Sequence, residues 1–256
     1  MISTILRSSI ERLTRNWTLK RKLPRSFNSA PIYVSPSAGL SYLFKSFETI
    51  DRDLLQFCKN HIKPNAVVWD IGANIGLFSV AAANVLKSEG KVFAFEPDPW
   101  LVQLLRKTAI IQSKSAASID VVPVGVAGTC GLRRFGLANR SRATNFLEGY
   151  GQSNSGGARE WTTIYCIDLE WAYQNLPPAD VIKIDVEGAE IELLEAGRSV
   201  LTKWHPIVYV EVSRLHRKQA TELLHGFGYT LYDGSDQTSP PVPVAEATFN
   251  TIAIAE

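Results

Sequence analysis

Residues 66–76 read AVVWDIGANIG, and this stretch determines the class of fold. A β-prone apolar run leads to Asp70, glycines follow at positions 72 and 76, and the apolar residues Leu77–Leu86 predict a helix. A glycine in such a turn lets the chain reverse tightly and lets the backbone come close to a ligand. The free N–H groups and the positive dipole end of the helix favour an anionic ligand group.

On either side of this stretch, apolar strands alternate with helices. Further strands are predicted at Lys91–Phe95, Ile119–Val124, Val181–Asp185, Ile207–Val212, Tyr229–Tyr232 and Asn250–Ala255. Two helices have clear starts: Asp51 precedes the apolar stripe of one, and Asp98 with Pro99 begins another. Continuous apolar strands separated by helices predict an α/β fold with a parallel sheet covered on both faces.

Composition narrows the class of protein. The chain has 256 residues, 45% of them hydrophobic and 20% charged, which excludes a disordered chain, a fibrous repeat or a bare coiled coil. Its three cysteines are widely spaced, so they predict free thiols in a reducing, cytoplasmic compartment. Residues 1–25 hold seven basic residues and one acidic residue, so the rest of the chain carries a net charge of −4. An acidic body argues against bulk electrostatic binding of nucleic acid.

The amino terminus has the pattern of an amphipathic basic helix. Its apolar residues step by three or four from Ile2 to Trp17, with arginines between them. Three interpretations stay open: a helix on an anionic membrane surface, an organellar transit peptide, or a cap helix packed on the body. The first would give peripheral membrane contact through residues 1–25.

Two stretches break the regular alternation. Residues 26–40 are rich in Ser, Pro and Ala and are interpreted as a connector, which divides the chain into an amino-terminal segment 1–45 and a domain 46–256. Residues 126–178 are rich in Gly, Ser, Asn and Arg and form one long interruption. An interruption of this length is either a functional insertion over the site or a locally mobile segment.

The acidic residue Glu96, in FAFEPDP, follows Gly76 by twenty residues. At that offset a carboxylate reaches the two hydroxyls of a ribose. The GxGxxG pattern of dinucleotide-binding proteins is absent, because Asn74 stands where the second glycine would be. Asp70 is unfavourable beside two phosphates but suits a ligand with an ammonium group. S-adenosylmethionine, with a ribose, an ammonium and a carboxylate, meets all three conditions.

The motifs VWDIGANIGLFS, FAFEPDP, VVPVGVAG, CIDLEW, VIKIDVEGAE and FNTIAI together resemble the FkbM-type S-adenosylmethionine-dependent methyltransferases. The resemblance runs from about Asn65 to the end and leaves residues 1–45 and 130–160 outside it. It implies a Rossmann-like class I methyltransferase fold, a seven-stranded mostly parallel sheet with the last strand antiparallel, and methylation of hydroxyl oxygens on sugars, polyketides or other metabolites. The implied cofactor-binding residues are Asp70, Gly72, Ala73, Asn74, Gly76, Glu96 and Pro97.

Three carboxylates are the candidate catalytic residues. Asp185 and Glu187, in IKIDVEGAE, can divide the roles of proton acceptor and hydrogen-bonding group, and the choice between them stays open. Glu211, at the end of the fifth strand, is a third candidate. In the alternative interpretation Glu187 only caps a helix that begins at Gly188. No cluster has spacing that requires a metal, although Asp185 and Glu187 could bind magnesium with a third carboxylate.

The sequence therefore predicts an O-methyltransferase that acts on a hydroxyl of a sugar, glycan or other metabolite and not on nucleic acid. Two other functions remain as alternatives: a nicotinamide-dependent oxidoreductase and a non-catalytic nucleoside-binding protein on the same fold. The expected location is cytoplasmic, with or without association with a membrane surface.

Overall fold

The computed structural model describes residues 17–151, 155–236, 238 and 240–255. Within these residues the chain forms thirteen strands: β1 (Leu19–Lys22), β2 (Pro31–Val34), β3 (Val67–Ile71), β4 (Lys91–Phe95), β5 (Ser118–Val122), β6 (Gly125–Val126), β7 (Gly131–Ala138), β8 (Phe146–Leu147), β9 (Ala158–Ile167), β10 (Val181–Ile184), β11 (Ile207–Glu211), β12 (Tyr229–Asp233) and β13 (Asn250–Ala255).

Nine α-helices lie between these strands in the same described ranges. They are α1 (Ser41–Phe44), α2 (Phe47–Ile50), α3 (Arg52–His61), α4 (Leu77–Leu86), α5 (Pro99–Ile110), α6 (Leu169–Asn175), α7 (Glu190–Ala196), α8 (Arg198–Trp204) and α9 (Arg217–Gly226).

A seven-stranded sheet forms the centre of the fold, with the order β12-β13-β11-β10-β3-β4-β5. Its pairs are parallel except that β13 runs antiparallel to both of its neighbours, β11 and β12. This confirms the predicted Rossmann-like sheet with its last strand reversed. The neighbours β3 and β10 pair Ile71 with Ile184, so the turn after β3 and the loop after β10 lie side by side.

Local sequence explains the elements beside this edge of the sheet. The helix α4 is apolar around most of its circumference because it is buried between the sheet and the amino-terminal segment. The helix α5 begins as predicted, since an Asp98 carboxylate oxygen accepts a hydrogen bond from the Trp100 N–H, with Pro99 in the first turn.

The amino-terminal segment differs from the prediction of a connector at residues 26–40. Strands β1 and β2 form a hairpin, and Phe27, Ile32 and Val34 are buried in the same apolar core as α4. The backbone N–H of Tyr33 also donates to the hydroxyl of Thr108 on α5, at 3.0 Å. The segment is therefore folded onto the domain, whereas the helix predicted for residues 2–17 falls almost wholly outside the described residues.

A second, smaller sheet is built from the predicted insertion, with the order β6-β9-β7-β8. The long antiparallel pair β7 and β9 presents Phe135 and Ile164 inward and Leu132 and Tyr165 to solvent. Because the inward side chains border a cleft above the large sheet, the geometry favours the interpretation of a functional insertion.

Among the described residues, no helix is both long enough and apolar enough to cross a bilayer. Cys58, Cys130 and Cys166 are free thiols.

Candidate active site

The turn between β3 and α4 approaches the loop after β10 very closely at Gly72. This residue has a φ of +75°, and an added Cβ atom would lie 1.8 Å from the carbonyl oxygen of Asp185. The N–H groups of Gly72 and Ala73 both donate to the carbonyl of Phe95, at 3.1 and 2.9 Å. Both the backbone conformation and the close approach therefore require glycine at position 72.

The carboxylate of Glu96 is fixed by two backbone N–H groups. Oε2 accepts from Asn74 and Oε1 from Asp98, each at 2.8 Å. Glu96 is buried, and burial raises its pKa to about 8 despite the hydrogen bonds that oppose the shift. Each oxygen keeps a second lone pair, so the side chain can also accept hydrogen bonds from ligand hydroxyls.

These groups border a cleft at the carboxyl ends of β3, β4 and β10. The large sheet forms one side of the cleft, which we call the floor, and the small sheet and loops of the insertion form the opposite side, which we call the roof. Both parts of the fold therefore form the site. The lining residues are Gly72, Asn74, Phe95, Glu96, Pro97, Val124, Gly125, Val126, Phe135, Arg142, Ala143, Asn145, Leu147, Ile164, Asp185, Val186 and Glu187.

The roof is tied to the floor through the buried carboxylate of Asp98. Its Oδ2 atom accepts hydrogen bonds from the Arg142 guanidinium and from the Asn145 amide, the latter at 2.9 Å. The Arg142 guanidinium also lies 5.0 Å above the ring centre of Trp100. We call this group, Asp98, Arg142 and Asn145, the clasp.

Asp70 lies in a different place from the one expected of a cofactor ligand. Its side chain is fully buried below the turn and outside the cleft lining, where it accepts from the Ser79 hydroxyl and lies 3.6 Å from the Lys183 ammonium. Ala73 and Gly76 also lie outside the lining. Ala73 packs with Leu105, and an added Cβ on Gly76 would lie 2.2 Å from a Leu105 methyl carbon.

The three candidate catalytic carboxylates lie at the ends of the neighbouring strands β10 and β11. The register of these strands pairs Ile184 with Val210, which places Asp185 beside Glu211. Asp185 and Glu187 line the cleft, whereas Glu211 does not. Burial and the charge of Asp185 raise the pKa of Glu187, and Asp185 and burial raise the pKa of Glu211.

The amino-terminal segment adds two polar groups to these carboxylates. Burial raises the pKa of Asp51 to about 6, while the neighbouring Tyr42 hydroxyl and Lys183 oppose the shift. Burial and the charges of Asp51, Asp185 and Glu211 raise the pKa of Tyr42. An acidic group of side chains therefore extends from the cleft toward α1 and the start of α3, with Lys183 as the cation beside it.

The alternative interpretation of Glu187 as a helix cap is wrong. The helix α7 begins at Glu190, whose own carboxylate accepts from the N–H groups of Val186 and Gly188. Glu187 instead has a φ of +54°, in the left-handed region, and its side chain borders the cleft. Such a conformation is strained for a residue other than glycine and is often found at functional sites.

Sequence reasoning missed Lys183 and the clasp residues. Lys183 interrupts the apolar strand VIKI, and a lysine in a buried strand is itself a signal because it requires charged partners. For the clasp no local signal exists, since Asp98 and Arg142 are 44 residues apart. Across the described ranges, no group of three or more His, Cys, Asp or Glu side chains is arranged to hold a metal ion.

Comparison with known proteins is consistent with this geometry. A family model described as the methyltransferase FkbM domain matches residues 70–231. The hexuronic acid methyltransferase AglP of Haloferax volcanii is 25% identical over 180 residues, which cover 68% of this chain and 67% of that protein.

The comparison with solved structures includes two methyltransferases. The precorrin-6y C5,15-methyltransferase of Geobacter metallireducens is 17% identical with a TM-score of 0.46, covering 84% of this chain and 92% of the other. The FkbM methyltransferase of Methylobacillus flagellatus is 14% identical with a TM-score of 0.45, covering 78% of this chain and 50% of the other.

Proposed function

The chain belongs to the FkbM methyltransferase family and its cofactor is S-adenosylmethionine; from this premise we propose that it methylates a hydroxyl oxygen of a sugar, a glycan or another metabolite. The family membership decides against the oxidoreductase alternative. The observation that carries the proposal is the pair of carboxylates, Asp185 and Glu187, which border the cleft at the end of β10.

The residues of the cleft fit this cofactor. Glu96 can accept hydrogen bonds from the ribose hydroxyls, and the apolar side chains of Phe95, Val126 and Ile164 suit the adenine ring. The amino end of α4 favours the carboxylate group of the cofactor. When bound, S-adenosylmethionine supplies a methyl group on a positively charged sulfur, which becomes a neutral thioether as the acceptor oxygen takes the methyl group.

The protein's own task is to position the acceptor and to take its proton. Orientation of the acceptor oxygen in line with the methyl group can lower the barrier by several kcal/mol. The hydroxyl proton passes to a carboxylate, a step that contributes about 100-fold or more.

Of the two cleft carboxylates, we assign the role of proton acceptor to Asp185. The raised pKa of Glu187 keeps that group largely protonated near neutral pH, so it can donate a hydrogen bond but is a poor acceptor of a proton. Asp185 is partly exposed and is held by the Lys183 ammonium at 3.3 Å. Glu211, whose pKa is also raised, lies beside Asp185 but outside the cleft lining, so we assign it no contact with the acceptor.

The charge of this group of side chains favours a hydroxyl over a carboxylate as the acceptor. AglP is described as acting on hexuronic acid, a type of sugar that offers both groups. A carboxylate acceptor needs no base and would be repelled by the Asp185 carboxylate, whereas a hydroxyl needs a base, which Asp185 provides. The same repulsion argues against the phosphates of nucleic acid.

The test is methyl transfer from isotopically labelled S-adenosylmethionine to neutral hexoses, hexuronic acids and polyols. We expect labelled product that survives mild alkali, because an ether is stable under conditions that hydrolyse a methyl ester. Asp185→Asn should abolish turnover but keep S-adenosylhomocysteine binding, whereas Asp120→Asn, at an exposed ion pair with Lys91, should leave both unchanged. Alkali-labile product would contradict the hydroxyl assignment, and full activity of Asp185→Asn would contradict the choice of base.

For the amino terminus we propose peripheral contact with an anionic membrane surface, on the basis of the seven basic residues within residues 1–25. The full chain should sediment with vesicles that contain anionic lipid and should remain in solution with neutral ones. A triple substitution to glutamate should remove the binding, and equal sedimentation of the two proteins would contradict the proposal. The three positions are Arg7, Arg12 and Arg15.

A further inference from the structure

Lys183 is a charged residue in the interior of the sheet. It is the third residue of β10, whose four residues are all buried, and its side chain is only 6% exposed. Burial of an ammonium group is costly unless the charge is paired and its N–H groups are hydrogen-bonded. The position of Lys183 therefore needs an explanation beyond packing.

The ammonium group has three oxygen partners that come from two different segments. Nζ donates to the carbonyl oxygen of Gly72 at 2.8 Å and to the Asp185 carboxylate at 3.3 Å, and it lies 3.6 Å from the Asp70 carboxylate. Two of the three ammonium protons are used in these hydrogen bonds, and the contact with Asp70 is an ion pair. Burial lowers the pKa of Lys183, but the charges of Asp185 and Asp70 outweigh this and keep the group protonated.

The partners connect the two parts of the active site. Gly72 belongs to the turn that borders the cofactor cleft, and Asp185 lies where the acceptor side of the site begins. The backbones of these residues already touch, since there is no room for a Cβ atom on Gly72 beside the Asp185 carbonyl. Lys183 adds a side-chain link between the same two segments and so determines where the Asp185 carboxylate points.

On the basis of the proposed function, we propose that Lys183 is a positioning residue: it holds the Asp185 carboxylate in a fixed place relative to the cofactor turn and offsets the negative charge of the acidic side chains around it. Lys183 itself takes no part in the transfer of the methyl group or the proton. Loss of its charge should affect the step after cofactor binding.

A purely structural role, as the counter-charge of buried Asp70, makes a different prediction. Removal of Lys183 alone leaves the Asp70 charge buried and unpaired, which is strongly destabilising. The double variant Asp70→Asn/Lys183→Met removes both charges, and the asparagine oxygen can still accept from the Ser79 hydroxyl. If the role were only structural, this double variant would recover stability and activity together.

The experiment compares Lys183→Met, the double variant and the control Lys218→Met, at a lysine whose side chain is 87% exposed. Melting temperature, S-adenosylhomocysteine affinity, KM and kcat are measured for each. We expect kcat to fall by about 100-fold in the first two proteins, as for a displaced catalytic group. The cofactor affinity should change far less than kcat, and the control should behave as the wild type.

The split between kcat and KM separates positioning from folding. Loss of the contact between Lys183 and the Asp185 carboxylate, 3.3 Å apart, should lower kcat while KM and the cofactor affinity change little, whereas a folding defect should lower the melting temperature and the cofactor affinity together. A double variant with wild-type kcat and KM would overturn the proposal, and so would normal turnover in Lys183→Met. If the wild-type protein bound S-adenosylhomocysteine but methylated no hydroxyl, the proposed function would fail instead.

Discussion

Glu96→Gln tests the assignment of the cofactor cleft. In the wild-type protein both carboxylate oxygens are held by backbone N–H groups, and each can also accept from a ribose hydroxyl. A glutamine keeps one oxygen but turns an NH₂ donor toward either the N–H of Asn74 or that of Asp98. One ligand hydroxyl and one backbone N–H then lose their acceptor.

The expected loss of affinity follows from this count. A hydrogen bond to a charged group contributes about 1.5–3 kcal/mol, so the loss of one weakens S-adenosylhomocysteine binding by about 10- to 150-fold. The assay is isothermal titration calorimetry at pH 8.5, where Glu96, with a pKa of about 8, is mostly ionised in the free protein. Chemical denaturation of each protein checks that the variant is folded.

The control is Glu195→Gln, on the exposed face of α7, where the carboxylate accepts from the Gln219 side chain. We expect no change in its affinity. A folded Glu96→Gln protein that bound S-adenosylhomocysteine with an affinity within about threefold of wild type would refute the assignment. The loss of even one hydrogen bond to a charged group should weaken binding by more than that.

Three further predictions concern stability. Because the pKa of Glu96 is raised from 4.5 to about 8 in the folded protein, its contribution to stability is fully present below pH 4.5 and is lost as the pH rises through 8. Denaturation of the wild-type protein should show a fall in the free energy of unfolding of up to about 5 kcal/mol over this range, and Glu96→Gln should lack it. Parallel curves for the two proteins would contradict this. Gly72→Ala should lower the free energy of unfolding, measured by denaturant titration, by at least about 2 kcal/mol, because Gly72 has a positive φ and lies against the Asp185 carbonyl. The control Gly226→Ala has open space around the added methyl group and should be neutral or stabilising. Equal effects of the two substitutions would contradict the close approach at Gly72. The Glu187→Gly variant should have a free energy of unfolding about 1 kcal/mol higher than that of Glu187→Ala, since glycine adopts the left-handed backbone conformation without strain. Methyl transfer should fall in both variants. A glycine variant less stable than the alanine variant would rule out strain at this position.

The large sheet was predictable because its strands are long apolar runs. The runs at Lys91–Phe95 and Asn250–Ala255 match observed strands at both ends, since both faces of the large sheet are covered and most residues of these strands are apolar. The small sheet was not predicted, because β7 and β9 alternate buried and exposed residues within a polar, glycine-rich stretch. The amino-terminal hairpin was missed for a similar reason: Phe27, Ile32 and Val34 are buried singly among turn-forming residues.

The candidate site was predictable in position but less so in its contacts. Spacing indicated that Gly72, Glu96 and Asp185 meet at one edge of the sheet, and all three border the cleft. It could not indicate that the Asp70 side chain turns inward to Lys183, because the direction of a side chain at a strand end depends on which segments pack below it. The clasp joins residues 44 and 47 positions apart, a separation at which local patterns carry no information.

The clasp has a consequence for the rate at which the enzyme releases S-adenosylhomocysteine, the product formed from its cofactor. Arg142 and Asn145 attach the roof to Asp98, and this roof covers the cleft from which S-adenosylhomocysteine must dissociate. Dissociation therefore requires either passage through a narrow exit or transient breaking of the hydrogen bonds of the clasp, which are charge-assisted and shielded from water. We expect S-adenosylhomocysteine to have a long residence time and to act as a strong product inhibitor. Throughput would then depend on how often the roof opens, a rate set by residues that take no part in the chemical step.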